Sequence, residues 1–204
     1  MKHPEPGEDA DPLLGAPGAI RAPLLAALLD RGGSSRRRVI ADLGTLQPGM
    51  LDALSQSRTR LVVADLPGRR AENEDDWDRL DAALPRRHWR EPLAAVLCWD
   101  LLNYLDAGRL AALAEALRER AAPDCRVHAL IHYSALEMPG APGQIRIDPN
   151  LDLRIPSLAD TRPIATPRYT PKALEKAMPA LVVERTMLLG NGMQEFTFRV
   201  HRPN

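Results

Sequence analysis

The sequence predicts a single α/β domain whose sheet is mostly parallel and ends in an antiparallel hairpin. Three observations predict it. A strand, a tight turn, a helix and a second strand follow one another from Val39 to Leu66. Further strands alternate with helices after Pro92, and two strands flank a Gly-Asn-Gly turn near the end of the chain. This alternation is typical of a parallel sheet, because parallel neighbours need a crossover connection.

Composition excludes several classes of protein. The chain has 204 residues, with 27 basic and 27 acidic side chains, so its formal net charge is zero. No overall field attracts nucleic acid or an anionic membrane, and we expect neither as a partner. No apolar run approaches the roughly 18 residues of a membrane span. Two cysteines, Cys98 and Cys125, fall in predicted strands as buried reduced thiols, which predicts a cytoplasmic protein.

The N-terminal part divides into a lead-in and a helix. Residues 1–18 are rich in proline, glycine and acidic side chains, which predicts a flexible N-terminus before a single domain at 19–204. The spacing of four apolar residues then predicts one face of a helix that ends at Arg31-Gly32-Gly33. These residues are Ile20, Leu24, Leu25 and Leu28.

The first strand–helix–strand unit determines the fold class. The apolar strand from Val39 ends in Asp42-Leu43-Gly44, the helix contains Met50–Leu54, and the second strand is closed by Asp65. Asp65 lies about 20 residues beyond the glycine, where dinucleotide-type folds hold a ribose through its hydroxyls. The alternative is an exposed carboxylate at the end of a strand.

The later elements follow from apolar runs and capping residues. No third strand is evident between Asp65 and Pro92, where residues 71–84 resemble an acidic helix. Asp106 is predicted to cap one helix, and Thr170-Pro171 to begin another with the hydroxyl at N-cap and proline at N1. The predicted strands are Leu93–Cys98, Arg126–Tyr133, Leu181–Leu189 and Met193–His201.

A proline-rich insertion is predicted at about 137–167, which is long for a plain connection. Residues 144–155 within it have the pattern of a β-hairpin, with two short apolar runs around Asp148-Pro149-Asn150. We expect this insertion to cover the functional site.

Three segments in this order resemble class I S-adenosylmethionine-dependent methyltransferases. They are Asp42-Leu43-Gly44 with Asp65, the run Ala95–Leu105, and Tyr169–Leu174 leading to the closing hairpin. The resemblance covers most of the chain from about 20 to 202. It implies a Rossmann-like methyltransferase sheet of seven strands, here with the third strand in doubt, and S-adenosylmethionine over the carboxyl ends of the first strands.

The resemblance also implies a cofactor site. Asp42 matches the acid before the glycine-rich turn, Gly44 matches the first glycine of that turn, and Thr45 follows it. Asp65 matches the acid that typically holds the ribose. Trp99-Asp100 leaves the fourth strand where the family lines the methionine end of the cofactor. Two alternatives stay open, in which Asp42 caps the turn through backbone amides and Trp99 belongs to the core.

The turn departs from the family pattern acid-x-Gly-x-Gly-x-Gly, because Leu46 and Pro48 occupy the second and third glycine positions. Glycines there let the backbone approach the ligand and adopt unusual dihedral angles. A leucine is expected to take space from the methionine end, and Pro48 removes a backbone donor. Gly49 replaces a glycine only if the turn is one residue longer. The adenine-contacting acid of the family has only Asp81 as a weak substitute.

Several polar residues are candidates for the acceptor pocket. Tyr104, His132 and Tyr133 stand at or after strand ends and are expected to shape it, with His132 a candidate base. The alternative for His132-Tyr133-Ser134 is that these are polar residues where the chain leaves the sheet. His128 lies on the same face as His132, but no third ligand is evident, so we expect no metal. The basic run Arg86–Arg90 is either a site for an anionic substrate or a solvated loop.

These observations predict an S-adenosylmethionine-dependent methyltransferase whose acceptor, a small molecule or a protein, the sequence does not identify. The alternative is a non-catalytic methyltransferase-like binding or scaffold protein that has lost the cofactor, and a homodimer fits either function. A nicotinamide-dependent oxidoreductase is disfavoured, because the turn lacks the glycine fingerprint of that class.

Overall fold

The computed structural model describes residues 19–30, 37–55, 57–68, 84, 91–143, 145–148, 150–155 and 162–201. Three predictions fall outside these residues: the flexible N-terminus at 1–18, nearly all of the acidic helix at 71–84 with Asp81, and the basic run Arg86–Arg90.

Eleven strands, four α-helices and one 3-10 helix are described within these ranges. The first half contains β1 (Ala19–Arg21), α1 (Pro23–Leu29), β2 (Arg38–Asp42), α2 (Pro48–Leu54), β3 (Thr59–Val63), β4 (Leu93–Leu97), the 3-10 helix (Leu101–Tyr104) and α3 (Ala107–Arg118). The second half contains β5 (Ala121–His132), β6 (Glu137–Pro139), β7 (Arg146–Ile147), β8 (Asp152–Arg154), β9 (Pro163–Ala165), α4 (Pro171–Ala177), β10 (Leu181–Leu188) and β11 (Met193–Val200).

The main sheet has six strands in the order β10-β11-β5-β4-β2-β3. Strands β2 to β5 are mutually parallel, while β11 runs antiparallel to both β5 and β10. The mixed, mostly parallel sheet and its closing hairpin are therefore as predicted. The doubt about a third strand stays open, because most residues between β3 and β4 lie outside the described ranges.

Both faces of the sheet are covered by buried apolar side chains. On one face, Leu110, Leu113 and Leu117 of α3 pack in the same core as Phe196 and Phe198 of β11. On the other face, α1, α2 and the small sheet β1-β8-β7 share a second core. Burial on both faces is the reason that β2 and β4 are almost continuously apolar.

The helix starts agree with the sequence. Asp106 accepts a hydrogen bond from the backbone N–H of Arg109, and the hydroxyl of Thr170 accepts one from Ala173, so both predicted N-caps are confirmed. Pro48 is the first residue of α2. A proline costs no hydrogen bond there, since the first N–H groups of a helix have no intrahelical partner. The helix thus loses no hydrogen bond of its own at Pro48, although Pro48 still offers no backbone N–H to a ligand.

Two element boundaries differ from the prediction. Ile20 was expected in the first helix but lies in β1, which pairs with β8. The helix begins at Pro23 because proline is favoured at N1 and disfavours helical geometry in the residue before it. Strand β5 begins at Ala121, five residues early. Leu93 pairs with Ala121 and Ala95 with Arg126, so a register shift takes up the extra residues around Pro123.

The insertion contains the predicted hairpin. Ile147 of β7 pairs with Leu153 of β8, and β8 in turn pairs with β1. The ends of the insertion meet as the two-stranded sheet β6-β9. Through these pairings the hairpin, which follows β5 in the chain, is hydrogen-bonded to β1, which precedes α1.

Candidate active site

The carboxyl ends of β2, β3 and β4 lie side by side, because these three strands are parallel neighbours. Ligands of open α/β sheets bind at this edge. The structure brings Asp42, Gly44 and Trp99 into direct contact there, and Thr45 into contact with Asp65. Gly44 and Thr45 belong to the turn between β2 and α2, which we call the β2 turn (residues 43–47).

Asp42 is fully buried at the end of β2. Its Oδ1 accepts hydrogen bonds from the backbone N–H of Gly44 at 2.9 Å and from the indole Nε1 of Trp99 at 2.6 Å. Burial raises the pKa of Asp42 from 3.8 to about 6, although both hydrogen bonds lower it. Its Oδ2 is buried and has no hydrogen-bond partner in the part of the chain that the structure describes. Of the two interpretations of Asp42, turn capping is the one observed.

Trp99 lies against the β2 turn. A Cβ added to Gly44 would stand 2.5 Å from Cδ1 and 2.8 Å from Nε1 of the indole, closer than real side chains come. Gly44 is therefore required by the indole. Trp99 itself is 4% exposed and belongs to the second core, as the core alternative predicted. Its φ of +52° is rare for a bulky residue.

Asp65 faces the same turn from the end of β3. Its Oδ1 accepts a hydrogen bond from the Thr45 hydroxyl at 2.8 Å and from the backbone N–H of Gly68 at 3.2 Å. Thr45 is exposed and Asp65 is half-buried, and a Cβ added to Gly68 would lie 2.4 Å from Asp65 Oδ2. Its φ of +45° is one of four positive values at non-glycine residues in the described chain.

The residues that replace the glycines of the family pattern do not fill a buried hollow. Leu46 is 45% exposed, and the expectation that its side chain takes space from the cofactor stays a prediction. Gly49 is inside α2, and a Cβ there would lie 2.0 Å from the carbonyl oxygen of Ile147. It serves the packing of β7 on α2, and does not extend the turn.

The insertion is tied to the sheet edge through Asp100 and Tyr104. Asp100 Oδ1 accepts a hydrogen bond from the backbone N–H of Gly143 at 3.2 Å. The Tyr104 hydroxyl lies 2.9 Å from the carbonyl oxygen of Pro139 and 3.1 Å from that of Ala141. Burial raises the pKa of Asp100 from 3.8 to about 6. Both residues therefore position the insertion and are engaged with its backbone.

His132 and Tyr133 lie at the end of β5, away from these contacts. The backbone N–H of His132 donates to Asn103 Oδ1 at 2.9 Å, and burial lowers the pKa of the His132 ring. Tyr133 is 38% exposed, and its carbonyl accepts a hydrogen bond from Arg168. No hydrogen bond among the described residues joins either side chain to the β2 turn.

Three residues with structural roles were not predicted from the sequence. The Asn103 amide donates to the carbonyls of Asp100 and Leu130, so it fixes the end of β4 against β5. Gly143 has a φ of +88° and lies against Pro67. Glu195 accepts the backbone N–H groups of Leu24 and Leu25 and contacts His128. Of these three, only Asn103 could have been recognised from the sequence, because it is a polar residue inside the apolar run Leu101-Leu102-Asn103-Tyr104.

Three other features of the described residues bear on function. Within the described ranges, no group of three or more His, Cys, Asp or Glu side chains is arranged to hold a metal ion. The helices of those ranges include none with both the length and the apolar character needed to cross a bilayer. Cys98 and Cys125 are buried and form no disulfide, as expected.

No family model and no curated protein matches the sequence, but solved structures match the fold. An S-adenosylmethionine-dependent methyltransferase from Clostridium acetobutylicum aligns over 88% of this chain and 89% of its own, at 11% identity and a TM-score of 0.52. DhpI, solved as a complex with SAH, aligns over 89% and 86%, at 16% identity and a TM-score of 0.50. The chain spans about half (54%) of the pyocyanin biosynthetic protein PhzM, at 16% identity over 86% of this chain and a TM-score of 0.48.

At such identities the likeness establishes a fold. It confirms the class I methyltransferase-like architecture that the sequence predicted.

Proposed function

We propose that this chain is an S-adenosylmethionine-dependent methyltransferase with an unidentified acceptor, for which a small molecule is favoured. The observation that carries the proposal is the half-buried Asp65, whose carboxylate accepts a hydrogen bond from the Thr45 hydroxyl just after β3. A carboxylate accepts hydrogen bonds from the vicinal hydroxyls of a ribose, and ligands of open α/β sheets bind at the carboxyl ends of the strands.

The residues at the sheet edge fit the adenosyl part of the cofactor. Thr45 is exposed and Asp65 half-buried, and Oδ2 of Asp42, which has no hydrogen-bond partner among the described residues, is a buried acceptor one strand away. The bound cofactor would supply an electrophilic methyl group on its sulfonium. The part of the protein is to align this group with the acceptor and exclude water, so no catalytic triad is needed.

The insertion supports the same function. It lies on the sheet edge through Asp100 and Tyr104 and packs near Thr45, since a Cβ on Gly143 would come within 3.8 Å of the Thr45 hydroxyl oxygen. A cover so close to the ribose position is suited to enclosing a small acceptor. Tyr104, His132 and Tyr133 stay the candidates for the acceptor pocket.

One observation favours a second candidate function, a non-catalytic binding or scaffold protein. The indole of Trp99 fills the face of Gly44 through which a ligand would approach the β2 turn. A protein that had lost the cofactor would be free to close this face with its own side chain.

Calorimetric titration with S-adenosylmethionine and S-adenosylhomocysteine tests the proposal. We expect binding on the order of tens of micromolar, abolished by Asp65→Ala. The matched control is Asp52→Ala, which removes an exposed carboxylate on α2 and should leave binding unchanged. Equal binding by Asp65→Ala and the wild type would remove Asp65 from the site. If neither the wild type nor a variant without the Trp99 indole binds either compound, the cofactor function is overturned and the scaffold function is favoured instead.

A further inference from the structure

The Trp99 indole packs on Gly44 of the β2 turn, while Asp65, the proposed ribose ligand, contacts Thr45 of the same turn. We propose that Trp99 is a displaceable plug: its side chain closes the β2 turn in the free protein and swings away when an adenosyl ligand binds. This inference rests on the proposed function and adds a regulatory element to the same site.

The contact with Gly44 shows what the plug closes. At 2.5 Å from the Cβ position of Gly44, Cδ1 of the indole occupies the space that the glycine leaves open. A glycine at this point of the turn serves close approach by another group. The ring and a ligand cannot both use that face, so a ligand that reaches Gly44 must first displace the ring.

The bond that holds the plug can be exchanged. Trp99 Nε1 donates one hydrogen bond, to Asp42 Oδ1 at 2.6 Å. When the indole leaves, Asp42 Oδ1 still accepts the hydrogen bond from the backbone N–H of Gly44, so the carboxylate stays in place. Oδ1 can then accept a second hydrogen bond, and Oδ2 has no partner among the described residues, so the carboxylate can accept from a donor on the ligand.

The backbone at Trp99 is anchored by a hydrogen bond, while its side chain packs in the second core and makes the polar contact with Asp42. The carbonyl of Trp99 accepts a hydrogen bond from the N–H of Leu130 at 2.7 Å, which ties this residue to β5. Its φ of +52° is an unfavourable conformation for tryptophan that the surrounding structure maintains. Rotation of the side chain about an anchored backbone is therefore the motion that opens the turn.

The plug lowers the affinity of the site. A ligand that binds only the open state has its apparent affinity reduced by the small fraction of open molecules. Removing the indole N–H should enlarge that fraction, so Trp99→Phe is expected to bind S-adenosylhomocysteine about threefold or more tightly than the wild type. A tryptophan that stacked on the ligand would give the opposite result, and a purely structural one would give no change.

Two measurements on the full chain test the plug, both with S-adenosylhomocysteine as the probe. Calorimetry compares the affinity of the wild type with that of Trp99→Phe. Tryptophan emission is followed during the same titration, and we expect a red shift in the wild type as the indole leaves its buried site. This shift should be missing from Trp99→Phe, which keeps Trp77 and Trp89. If Trp99→Phe does not fold, the double variant Trp77→Phe/Trp89→Phe is titrated instead. It retains Trp99 as its one indole, so its emission during the titration reports on Trp99 alone.

The outcomes separate the plug from the proposed function. Ligand binding without an emission change from Trp99 would overturn the plug and leave the methyltransferase proposal standing, as would equal or weaker binding by Trp99→Phe. Binding by Trp99→Phe but not by the wild type would support a plug that stays closed. Failure of both proteins to bind would overturn the cofactor function and the plug with it.

Discussion

Asp100, at the end of β4, accepts a hydrogen bond at 3.2 Å from the backbone N–H of Gly143, 43 positions further along the chain. This bond joins the first residues after a central strand to the middle of the insertion. Together with the Tyr104 hydroxyl, it holds the insertion against the carboxyl edge of the sheet. These contacts hold the described part of the insertion close to the candidate site.

The fit of Gly143 gives a first prediction. Its φ is +88°, and an added Cβ would stand 2.7 Å from Cβ of Pro67. Gly143→Ala is therefore expected to lower the unfolding free energy by about 1–3 kcal/mol and to loosen the insertion. Thermal unfolding measures the first effect, and faster trypsin cleavage after Arg146 or Arg154 measures the second.

Gly190→Ala is the control for this substitution, since a Cβ at Gly190 meets nothing within 4 Å. It should leave both stability and trypsin cleavage nearly unchanged. Equal cleavage rates for Gly143→Ala and the wild type would show that the insertion is held by something other than the close fit at Gly143.

Two buried carboxyls give a second prediction, on pH. Folding raises the pKa of both Asp42 and Asp100 from 3.8 to about 6. The folded state therefore binds protons more tightly than the unfolded chain. The stability that these groups contribute is fully present below about pH 4 and is lost as the pH rises through 6.

Asp42→Asn and Asp100→Asn remove this ionisation. At pH 7.5 each is expected to be more stable than the wild type by up to about 3 kcal/mol, and the advantage should shrink as the pH falls toward 4. Urea unfolding at several pH values measures it, with Asp52→Asn, on the exposed side of α2, as control. An advantage that does not vary with pH would show that ionisation is not its cause.

Glu195 gives a third prediction. Its carboxylate accepts the N–H groups of Leu24 and Leu25 at 3.0 and 2.7 Å, and its Oε1 lies 2.9 Å from Nε2 of His128. Glu195→Ala would leave the start of α1 uncapped and the buried imidazole without its partner. We expect a loss of about 3 kcal/mol in the unfolding free energy.

Urea unfolding checks this value, and Glu115→Ala is the control. Glu115 forms an exposed pair with Arg118 one turn away, so its removal should change stability little. A similar small loss for Glu195→Ala would mean that water replaces the carboxylate at the start of α1.

Local signals explain which parts of the fold could be predicted. Asp106 and Thr170-Pro171 cap helices through atoms within three residues, so sequence spacing alone identifies them. Asp65 was placed at the ribose position by its distance from Gly44, and the structure puts it against Thr45 of the same turn. The boundary at Ile20 was missed because β1 exists through its pairing with β8, about 130 positions away.

The sequence by itself determined the order of the strands and helices of the main sheet from β2 onward, its mostly parallel character and the acids after its first two strands. Each of these depends on periodicity or spacing within a few turns of chain. Only the tertiary structure decided that the Trp99 indole, 57 positions from Asp42, fills the β2 turn, and that Gly143 docks on Asp100. Such contacts depend on which distant segments pack together, and neither residue type nor local spacing encodes the rotamer that results.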